Sequence, residues 1–270
     1  MKTKVPSGSI YEKTGNTTIF KQLARKIEMD HVSNEEYYNW LDNVTASIGD
    51  VISGAKIIEK KDARKNPPLN TAIYYDTDDL EILSTGALLR TSCNKITHAF
   101  CAFKAPEDEF GVRVDNRHVF DGEEKKTIQA DPSSQDAISI VRRLMASDAQ
   151  HPGRELEKVV GISCENLSPV LLLDDLRYTF YVLLDDKDAL RCSIDRAHVR
   201  SLRENVGISS YVPVSEVEIA IYPRVSEEIA NDTRLVSAVD FLTKDLMETF
   251  NTKVTKKIKY QRSAEALKIG

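Results

Sequence analysis

Polar and apolar residues alternate along much of the chain, and this alternation is typical of β-strands whose two faces meet different environments. Turn-forming Gly, Pro, Asn and Asp residues separate the alternating segments from one another. Their succession predicts a mainly antiparallel β-sheet with inserted helices, which is an α+β fold class. The pattern predicts strands at about residues 24–30, 71–77, 86–93, 97–104, 111–121, 155–163, 215–223 and 252–262, and a hairpin over 176–195 that turns at 185–188.

Fewer segments follow the 3.6-residue period of an amphipathic helix. A short helix is predicted at about 17–24. A longer one is predicted at 33–49, where Ser33 and Glu36 have the spacing of a capping box. A third begins at the serine pair 133–134, either of which can cap it. The longest predicted helix, over 226–250, has an apolar stripe of Ile229, Val236, Val239, Leu242, Leu246 and Phe250.

The two faces of the predicted strands differ in the kind of residue they carry. Glu216 and Glu218 share one face of the strand at 215–223, while its opposite face is aliphatic. Leu89 and Arg90 stand on opposite faces of another strand in the same way. The polar faces are rich in Arg and Glu rather than Thr, Ser and Lys. Because like charges on one strand face repel, we expect a cation between the two glutamates.

Two arrangements explain a charged sheet face. An open sheet turns it to water and packs its apolar face under helices. A sheet that curls into a barrel encloses it, and the content of Arg and carboxylate pairs favours this second arrangement. The predicted lumen contains Lys26, Arg90, Lys104, Arg113, Arg117, Arg177, Arg191, Lys257 and Lys259 together with Glu28, Asp30, Asp115, Asp121, Asp195, Glu216 and Glu218.

A lumen lined by such side chains cannot be a dry core, because an unpaired buried charge is strongly destabilising. It must hold water and a charged ligand. Arg and Lys side chains that converge from several strands suit a compact polyanion, since Arg binds phosphate oxygens bidentately. Clustered carboxylates suit a hard divalent cation that bridges those oxygens.

Composition limits the partners. The 270 residues carry a formal net charge of −5 with a pI near 5.7, so a broad nucleic-acid-binding surface is not expected and any anion site must be local.

The length and even composition predict one domain over 1–270, with residues 1–16 flexible or plugging one end of the lumen. No run approaches the roughly 20 apolar residues of a membrane span, so we expect a cytoplasmic protein without a membrane partner. The sequence leaves homodimer formation open.

Cysteine and histidine offer no further site. Cys93, Cys101, Cys164 and Cys192 are scattered without a C-x-x-C pair, so we expect buried apolar residues rather than zinc ligands or disulfides. The histidines lack the i, i+4 spacing of a metal-binding helix, and surface or packing roles are expected for them. They are His31, His98, His118, His151 and His198.

Four segments, in this order, resemble the CYTH superfamily, the triphosphate tunnel metalloenzymes. They are YYDTDDLEILSTGALLRTS (74–92), HAFCAFKAP (98–106), EVEIAIYP (216–223) and KIKYQRSAEAL (257–267). Their order and spacing extend over nearly the whole chain. The resemblance implies an eight-stranded antiparallel β-tunnel with a charged lumen and flanking helices. It also implies that the tunnel binds a triphosphate-containing small molecule with Mg²⁺ or Mn²⁺.

The resemblance further implies roles for individual residues, although it names no catalytic base. The implied phosphate ligands are Arg90, Lys104, Arg113, Arg117, Arg177 and Lys259. The implied metal ligands are Glu28, Glu216, Glu218 and Asp195.

Two positions depart from the family pattern. The family's opening strand carries Glu-x-Glu-x-Lys, whereas this chain has KIEMD at 26–30, so only the central glutamate is kept. Ser92 stands where the family's Arg-x-Arg strand has its second arginine. The placement of Lys26 and Asp30 is expected to relocate a metal, to weaken its binding, or to leave a tunnel that binds without cleaving.

The leading functional hypothesis is a divergent metal-dependent phosphohydrolase acting on inorganic triphosphate or a nucleoside triphosphate. The first alternative is a non-catalytic sensor domain that binds a triphosphate, a polyphosphate or a nucleotide. The second is a class IV nucleotidyl cyclase, which joins the 3′-hydroxyl of ATP to its α-phosphate. The strand pattern does not distinguish cleavage at the α-phosphate from cleavage at the γ-phosphate.

Overall fold

The computed structural model describes residues 11–109, 111–203 and 211–269. The strands of this part of the chain are β1 (Tyr11–Thr14), β2 (Thr17–Glu28), β3 (Ala55–Glu59), β4 (Leu69–Asp76), β5 (Leu88–Asn94), β6 (Ala99–Lys104), β7 (Val112–Val119), β8 (Ser168–Leu184), β9 (Lys187–Ser201), β10 (Val212–Ile221) and β11 (Val254–Thr255). Eight of them form an antiparallel sheet in the order β2-β10-β9-β8-β4-β5-β6-β7, and pairing of β7 with β2 closes it into a barrel. The predicted eight-stranded barrel and the α+β class are confirmed.

Helices cover the outside of the barrel and one of its ends. In the described residues they are α1 (Asn34–Val51), α2 (Glu81–Ser84), α3 (Gly122–Ala130), α4 (Gln135–Met145), α5 (Pro152–Val160), α6 (Glu227–Ala230), α7 (Thr233–Phe250) and α8 (Lys259–Leu267). None of these helices combines the length and the apolar character needed to cross a membrane.

The main hydrophobic core lies outside the barrel wall rather than inside the barrel. On one side, α1 and α7 pack against Ile27, Phe180 and Val217, which are all fully buried. On the other side, α3, α4 and α5 cover Leu89 and Phe103. Since the apolar face of each strand is used for these helices, the charged face is left to line the interior. The four cysteines are free thiols and are buried, as predicted.

Helix α8 closes one end of the barrel. The ring of Tyr260 stacks on the inward-facing Tyr74 at 4.8 Å between ring centroids, and its hydroxyl donates a 2.8 Å hydrogen bond to Asp76. Ala264 and Leu267, further along the helix, are buried in the same apolar cluster. The barrel is therefore closed at the end where α8 packs.

Several predicted elements match the structure closely. The helix predicted at 33–49 is α1, and its capping box is present, because the backbone N–H groups of Ser33 and Glu36 each bind the other side chain. Ser134 caps α4. The predicted hairpin at 176–195 is formed by β8 and β9 and turns at 185–186.

The helix predicted at 17–24 is wrong, because this segment is the first half of β2. Phe20, whose ring lies 4.9 Å from the guanidinium of Arg117, and Leu23, which packs under the outer helices, are buried on opposite faces of β2. Their three-residue spacing does not follow the period of two and imitates a helix. Of the predicted flexible or plugging segment 1–16, residues 11–14 form β1 against the outer edge of β2, and 1–10 lie outside the described residues.

The strand predicted at 155–163 is also wrong, because helix α5 occupies most of it. His151 caps this helix by accepting a 3.0 Å hydrogen bond from the backbone N–H of Gly153, and Pro152 begins its first turn. Gly161 ends it in the left-handed conformation, with φ of 74°. These start and stop signals outweigh the short alternating pattern between them.

Two C-terminal predictions need correction. The helix predicted over 226–250 is divided into α6 and α7, because Asp232 caps a new helix by accepting a 2.8 Å hydrogen bond from the backbone N–H of Arg234. The strand predicted over 252–262 is limited to β11, and α8 begins at Lys259.

Candidate functional site

The barrel encloses a cavity of about 490 Å³. Its lining extends from Ile258 and Lys259, at the start of α8, to Thr97 and His98, in the turn between β5 and β6. We call these two ends of the cavity the α8 end and the turn end. Pockets of about 300–1,000 Å³ suit small molecules, so this cavity has the size for a compact ligand.

Strand register explains why charged side chains converge in the cavity. Arg90 pairs with Tyr74 on β4, and Arg177 pairs with Asp195 on β9. Residues opposite each other in a ladder project to the same side of the sheet, so charged positions on adjacent strands stack inside the barrel. Leu89 projects outward and is fully buried. The prediction that each strand separates an apolar from a charged environment is confirmed.

The cavity is cationic although the protein as a whole is acidic. Among the described residues, its lining holds nine cationic side chains and three carboxylates. The cations are Lys26, Lys60, Arg90, Lys104, Arg113, Arg117, Arg177, Arg191 and Lys259, and the carboxylates are Asp175, Glu216 and Glu218.

Two of the arginines lack an anionic partner within the part of the chain that the structure describes. Arg90 donates a 3.3 Å hydrogen bond to the hydroxyl of Tyr74 and forms no ion pair there. Burial, followed by repulsion from Arg177 and Arg117, lowers the pKa of Arg191. An anion placed between these guanidinium groups would relieve their mutual repulsion.

At the α8 end, buried charges alternate in sign. Arg177 binds both oxygens of Asp195, at 2.7 and 2.6 Å. Lys259 contacts the same carboxylate and lies 3.5 Å from Asp175 and 3.6 Å from Glu216. Burial alone would raise the pKa of Asp195, but Arg177 and Lys259 outweigh burial and hold this pKa well below its usual range.

Arg262 of α8 approaches these carboxylates from outside the cavity. Its Nη2 donates a 2.6 Å hydrogen bond to Asp30, and its Nη1 donates a 3.0 Å bond to the backbone oxygen of Ser215. Nη1 also lies 3.4 Å from Oε2 of Glu216, and Nε lies 4.0 Å from Oε1 of Glu28. Each oxygen of Glu216 therefore faces a cation that α8 supplies.

Lys104 and its neighbours form a second charged group on the β6–β7 side. Asp115 accepts two hydrogen bonds from Arg117, at 3.0 and 2.8 Å, and lies 3.5 Å from Nζ of Lys104. Burial lowers the pKa of Lys104 to about 8. Asp115 and Glu218 act in the opposite direction, and repulsion from Arg90 adds to the lowering. Lys104 is thus a cation whose charge depends on pH close to neutrality.

Glu218 lies on the cavity wall between lysines. Burial opposes its ionisation, but Lys104 and Lys26 contribute enough to lower its pKa to about 2. Glu107, from the β6–β7 connection, binds Lys26 at 3.2 Å and Arg113 at 2.8 Å. Arg113 is therefore already ion-paired, unlike Arg90.

His98 lines the turn end of the cavity, where the sequence suggested only a surface or packing role. Its ring stacks on Phe100 at 5.2 Å, and the guanidinium of Arg117 lies 5.1 Å from the centre of the same Phe ring. Burial, followed by the charges of Arg117, Arg177 and Arg90, lowers the pKa of His98 to about 4. The imidazole is therefore neutral at pH 7.

The structure brings together all the predicted phosphate ligands. The cavity lining includes Arg90, Lys104, Arg113, Arg117, Arg177 and Lys259, of which Lys259 enters from a helix rather than from a strand. Glu216 and Glu218 also line the cavity. Glu28 lies outside it next to Arg262, and Asp195 lies behind Arg177. The phosphate-binding and metal-binding roles of these residues stay predictions.

Besides Glu28, three residues predicted in the lumen lie elsewhere. Lys257 is exposed and pairs with Glu265, since the segment that carries it leads into α8 instead of forming a strand. Asp121 is exposed at the start of α3, after β7 has ended. The side chain of Asp30 is 55% exposed, lies beyond the end of β2 and binds Arg262.

The site prediction omitted Asp175, Arg191 and Arg262. Asp175 could have been found by extending the alternation of Arg177 back along β8, which begins at Ser168 rather than at 176. Arg191 was expected in the lumen and lines the cavity, but no role was assigned to it. Arg262 required the last segment to be identified as a helix, where it lies three residues after Lys259.

A resident Mg²⁺ or Mn²⁺ does not fit the described arrangement of the predicted metal ligands. No three Asp, Glu, His or Cys side chains of the described residues are grouped to hold an ion. Asp195 is bound by Arg177, and Glu216 lies between the two α8 cations. Of the four predicted metal ligands, this leaves Glu218 as a carboxylate that faces the cavity.

Several solved structures are similar to this chain at low sequence identity. A "putative adenylate cyclase" from Bacillus halodurans superposes with a TM-score of 0.50 at 15% identity, over 90% of this chain and 97% of that one. A "putative adenylyl cyclase" from Hippeastrum, described as having dominant triphosphatase activity, gives 0.49 at 13% identity, over 90% and 95% of the two chains. The PH1819 protein from Pyrococcus horikoshii gives 0.46 at 14% identity, over 90% and 98%.

Sequence comparison gives no further relative: no protein-family model and no curated protein matches the chain. The structural similarity to the Bacillus halodurans protein extends over nearly the whole of both chains. The fold that the four sequence segments led us to expect is therefore confirmed, and it is shared with a solved protein.

Proposed function

We propose that the cavity binds the triphosphate group of a small molecule. The observation that carries this proposal is the excess of nine cationic over three acidic side chains in the lining, in a protein with a net charge of −5. A local cationic concavity in an acidic protein selects a compact polyanion over an extended nucleic acid, because repulsion from the remaining surface disfavours an extended phosphate backbone.

The chemistry of the lining supports phosphate over other anions. Arg90, Arg117 and Arg191 present planar guanidinium groups, which bind phosphate oxygens bidentately. Lys104, on β6 between the strands that carry Arg90 and Arg117, and Lys259, from α8, add further positive charges. A chain of linked phosphates spreads several charges over a length that these groups can contact together, whereas a single sulfate or phosphate contacts only some of them.

Hydrolysis of the bound triphosphate is a second candidate, favoured by the position of Glu218 between Lys104 and Lys26 on the cavity wall. Phosphoryl transfer depends mainly on positioning and on stabilisation of the negative charge that develops on the transferred group. The arginines and lysines supply that stabilisation. The substrate in this case would be the complex of triphosphate with Mg²⁺ or Mn²⁺, and Glu218 would be the lining carboxylate available to contact the ion.

One experiment separates these functions. Melting temperature is measured with inorganic triphosphate, ATP, orthophosphate and sulfate, while orthophosphate and pyrophosphate release is followed with Mg²⁺, with Mn²⁺ and with a chelator. Stabilisation by triphosphate without release supports a binding domain. Orthophosphate release supports a phosphohydrolase, and pyrophosphate release from ATP alone supports a cyclase. Equal stabilisation by sulfate and triphosphate at equal ionic strength contradicts the triphosphate proposal.

A further inference from the structure

We propose that Arg262 takes the place of a resident divalent cation at the α8 end of the cavity, so that Glu28, Asp30 and Glu216 exclude Mg²⁺ and Mn²⁺ while α8 is docked. This inference concerns the metal selectivity of the carboxylates and does not depend on which polyanion enters the cavity. It assigns to a side chain the charge compensation that a metal ion would otherwise supply.

The contacts of Arg262 are those expected of a fixed cation. Its guanidinium reaches Asp30, Glu216 and Glu28 together, at 2.6, 3.4 and 4.0 Å. It also donates to the backbone oxygen of Ser215 at 3.0 Å. Only 7% of the side chain is exposed. The oxygen atoms that a metal ion would use are thus already hydrogen-bonded or ion-paired.

Charge balance in the buried layer points the same way. Three buried carboxylates, Asp175, Asp195 and Glu216, lie among three cations that are less than a quarter exposed, Arg177, Lys259 and Arg262. Glu28 and Asp30, whose side chains are 33% and 55% exposed, lie at its hydrated edge, and the buried layer itself carries no net charge when its six groups are ionised. A divalent cation added to it would leave two positive charges uncompensated in a poorly hydrated place, which is strongly unfavourable.

The position of Arg262 is held by the docking of α8. Tyr260, two residues earlier, is fully buried against Tyr74 and binds Asp76. Lys259, one residue before Tyr260, is bound to Asp195. Because both neighbours are anchored, the backbone of α8 holds Arg262 within reach of the carboxylates.

The test measures Mn²⁺ binding directly, from the free-ion signal in electron paramagnetic resonance, with no polyanion present. We expect wild-type protein to show no site tighter than about 1 mM, which is the weak limit of protein sites for such cations. Arg262→Gln removes the positive charge and leaves the carboxylates, so we expect at least tenfold tighter binding. Arg143→Gln is the matched control, since it makes the same change at a side chain that is 64% exposed and pairs only at the surface.

Two further variants locate the effect. The double variant Arg262→Gln, Glu216→Gln is expected to lose the gained affinity, whereas Arg262→Lys, which keeps the charge, is expected to resemble wild type. Wild-type protein that binds Mn²⁺ in the micromolar range, and loses it on Glu216→Gln, overturns the proposal. This last comparison requires no Arg262 variant, so it decides the question even if Arg262→Gln does not fold.

Discussion

Lys104 makes the proposed triphosphate binding depend on pH in a direction that the structure fixes. Burial lowers the pKa of this lysine to about 8 in the free protein, from an ordinary value of 10.5. A triphosphate beside the ammonium group favours its charged form and raises the pKa again. Binding is therefore coupled to proton uptake above pH 8, and affinity must fall as pH rises through this range.

The size of the effect follows from the two pKa values. At pH 9, about one tenth of the free protein carries the proton on Lys104, whereas the complex keeps it if its pKa returns to about 10.5. We expect affinity to fall about tenfold between pH 7 and pH 9 because of this residue, which corresponds to about 1.4 kcal/mol. Without ligand, the same shift makes stability rise between pH 8 and 10.5, because the unfolded chain then binds more protons than the folded one.

Calorimetric titration with inorganic triphosphate from pH 6.5 to 9.5 measures this dependence, and two variants remove the contribution of the ligand's own ionisation. Lys104→Arg keeps a charge at every pH, and Lys104→Met has none. Wild type should match the arginine variant near pH 7 and approach the methionine variant near pH 9.5. Parallel pH profiles for all three proteins would refute the combination of a lowered pKa and a contact between Lys104 and the ligand.

Three further predictions concern other parts of the site. Burial and the surrounding arginines lower the pKa of His98 to about 4, and this pKa should rise when bound triphosphate offsets the charge of the arginines. An NMR titration measures the change, and an unchanged pKa would place the ligand elsewhere. Arg177→Gln leaves Asp195 short of a partner and should cost about 3–5 kcal/mol in chemical denaturation; a loss below about 1 kcal/mol, similar to that of an exposed residue, would contradict this. Tyr260→Phe removes one hydrogen bond to Asp76 and should lower the free energy of unfolding by about 1–2 kcal/mol, whereas no change would show that this bond does not hold α8.

Much of the cavity could be predicted because a barrel converts local alternation into a shared interior. Once Arg90 and Arg177 were assigned to alternating strands with apolar residues on the other face, ladder geometry placed both inside. No long-range information was needed, since residue parity along each strand decides which face is enclosed.

The α8 end could not be predicted in the same way. Lys259 was assigned to a strand, and it reaches the cavity only because α8 folds across the end of the barrel. Its distance of 3.6 Å from Glu216, and the position of Arg262 beside Glu28, depend on how a helix docks on a sheet. Such tertiary contacts leave no periodic signal in a single sequence, so the neutralisation of the predicted metal ligands appeared only in the structure.

The strand β2 shows a different limit. It contributes Lys26 to the cavity while Leu23 and Ile27 belong to the outer core. In its first half the buried Phe20 and Leu23 lie on opposite faces and Lys21 is exposed, so apolar and polar positions do not alternate. Sequence pattern is least informative where buried residues lie on both faces of an element.

The most direct test of the central claim is a calorimetric titration of inorganic triphosphate into wild-type protein, Arg90→Gln and Arg143→Gln at one salt concentration. Arg90 lines the cavity without a carboxylate partner in the described residues, whereas Arg143 is a surface residue. The account predicts saturable binding at one site, at least tenfold weaker in Arg90→Gln and unchanged in Arg143→Gln. No binding, or equal affinities for all three proteins, would contradict it.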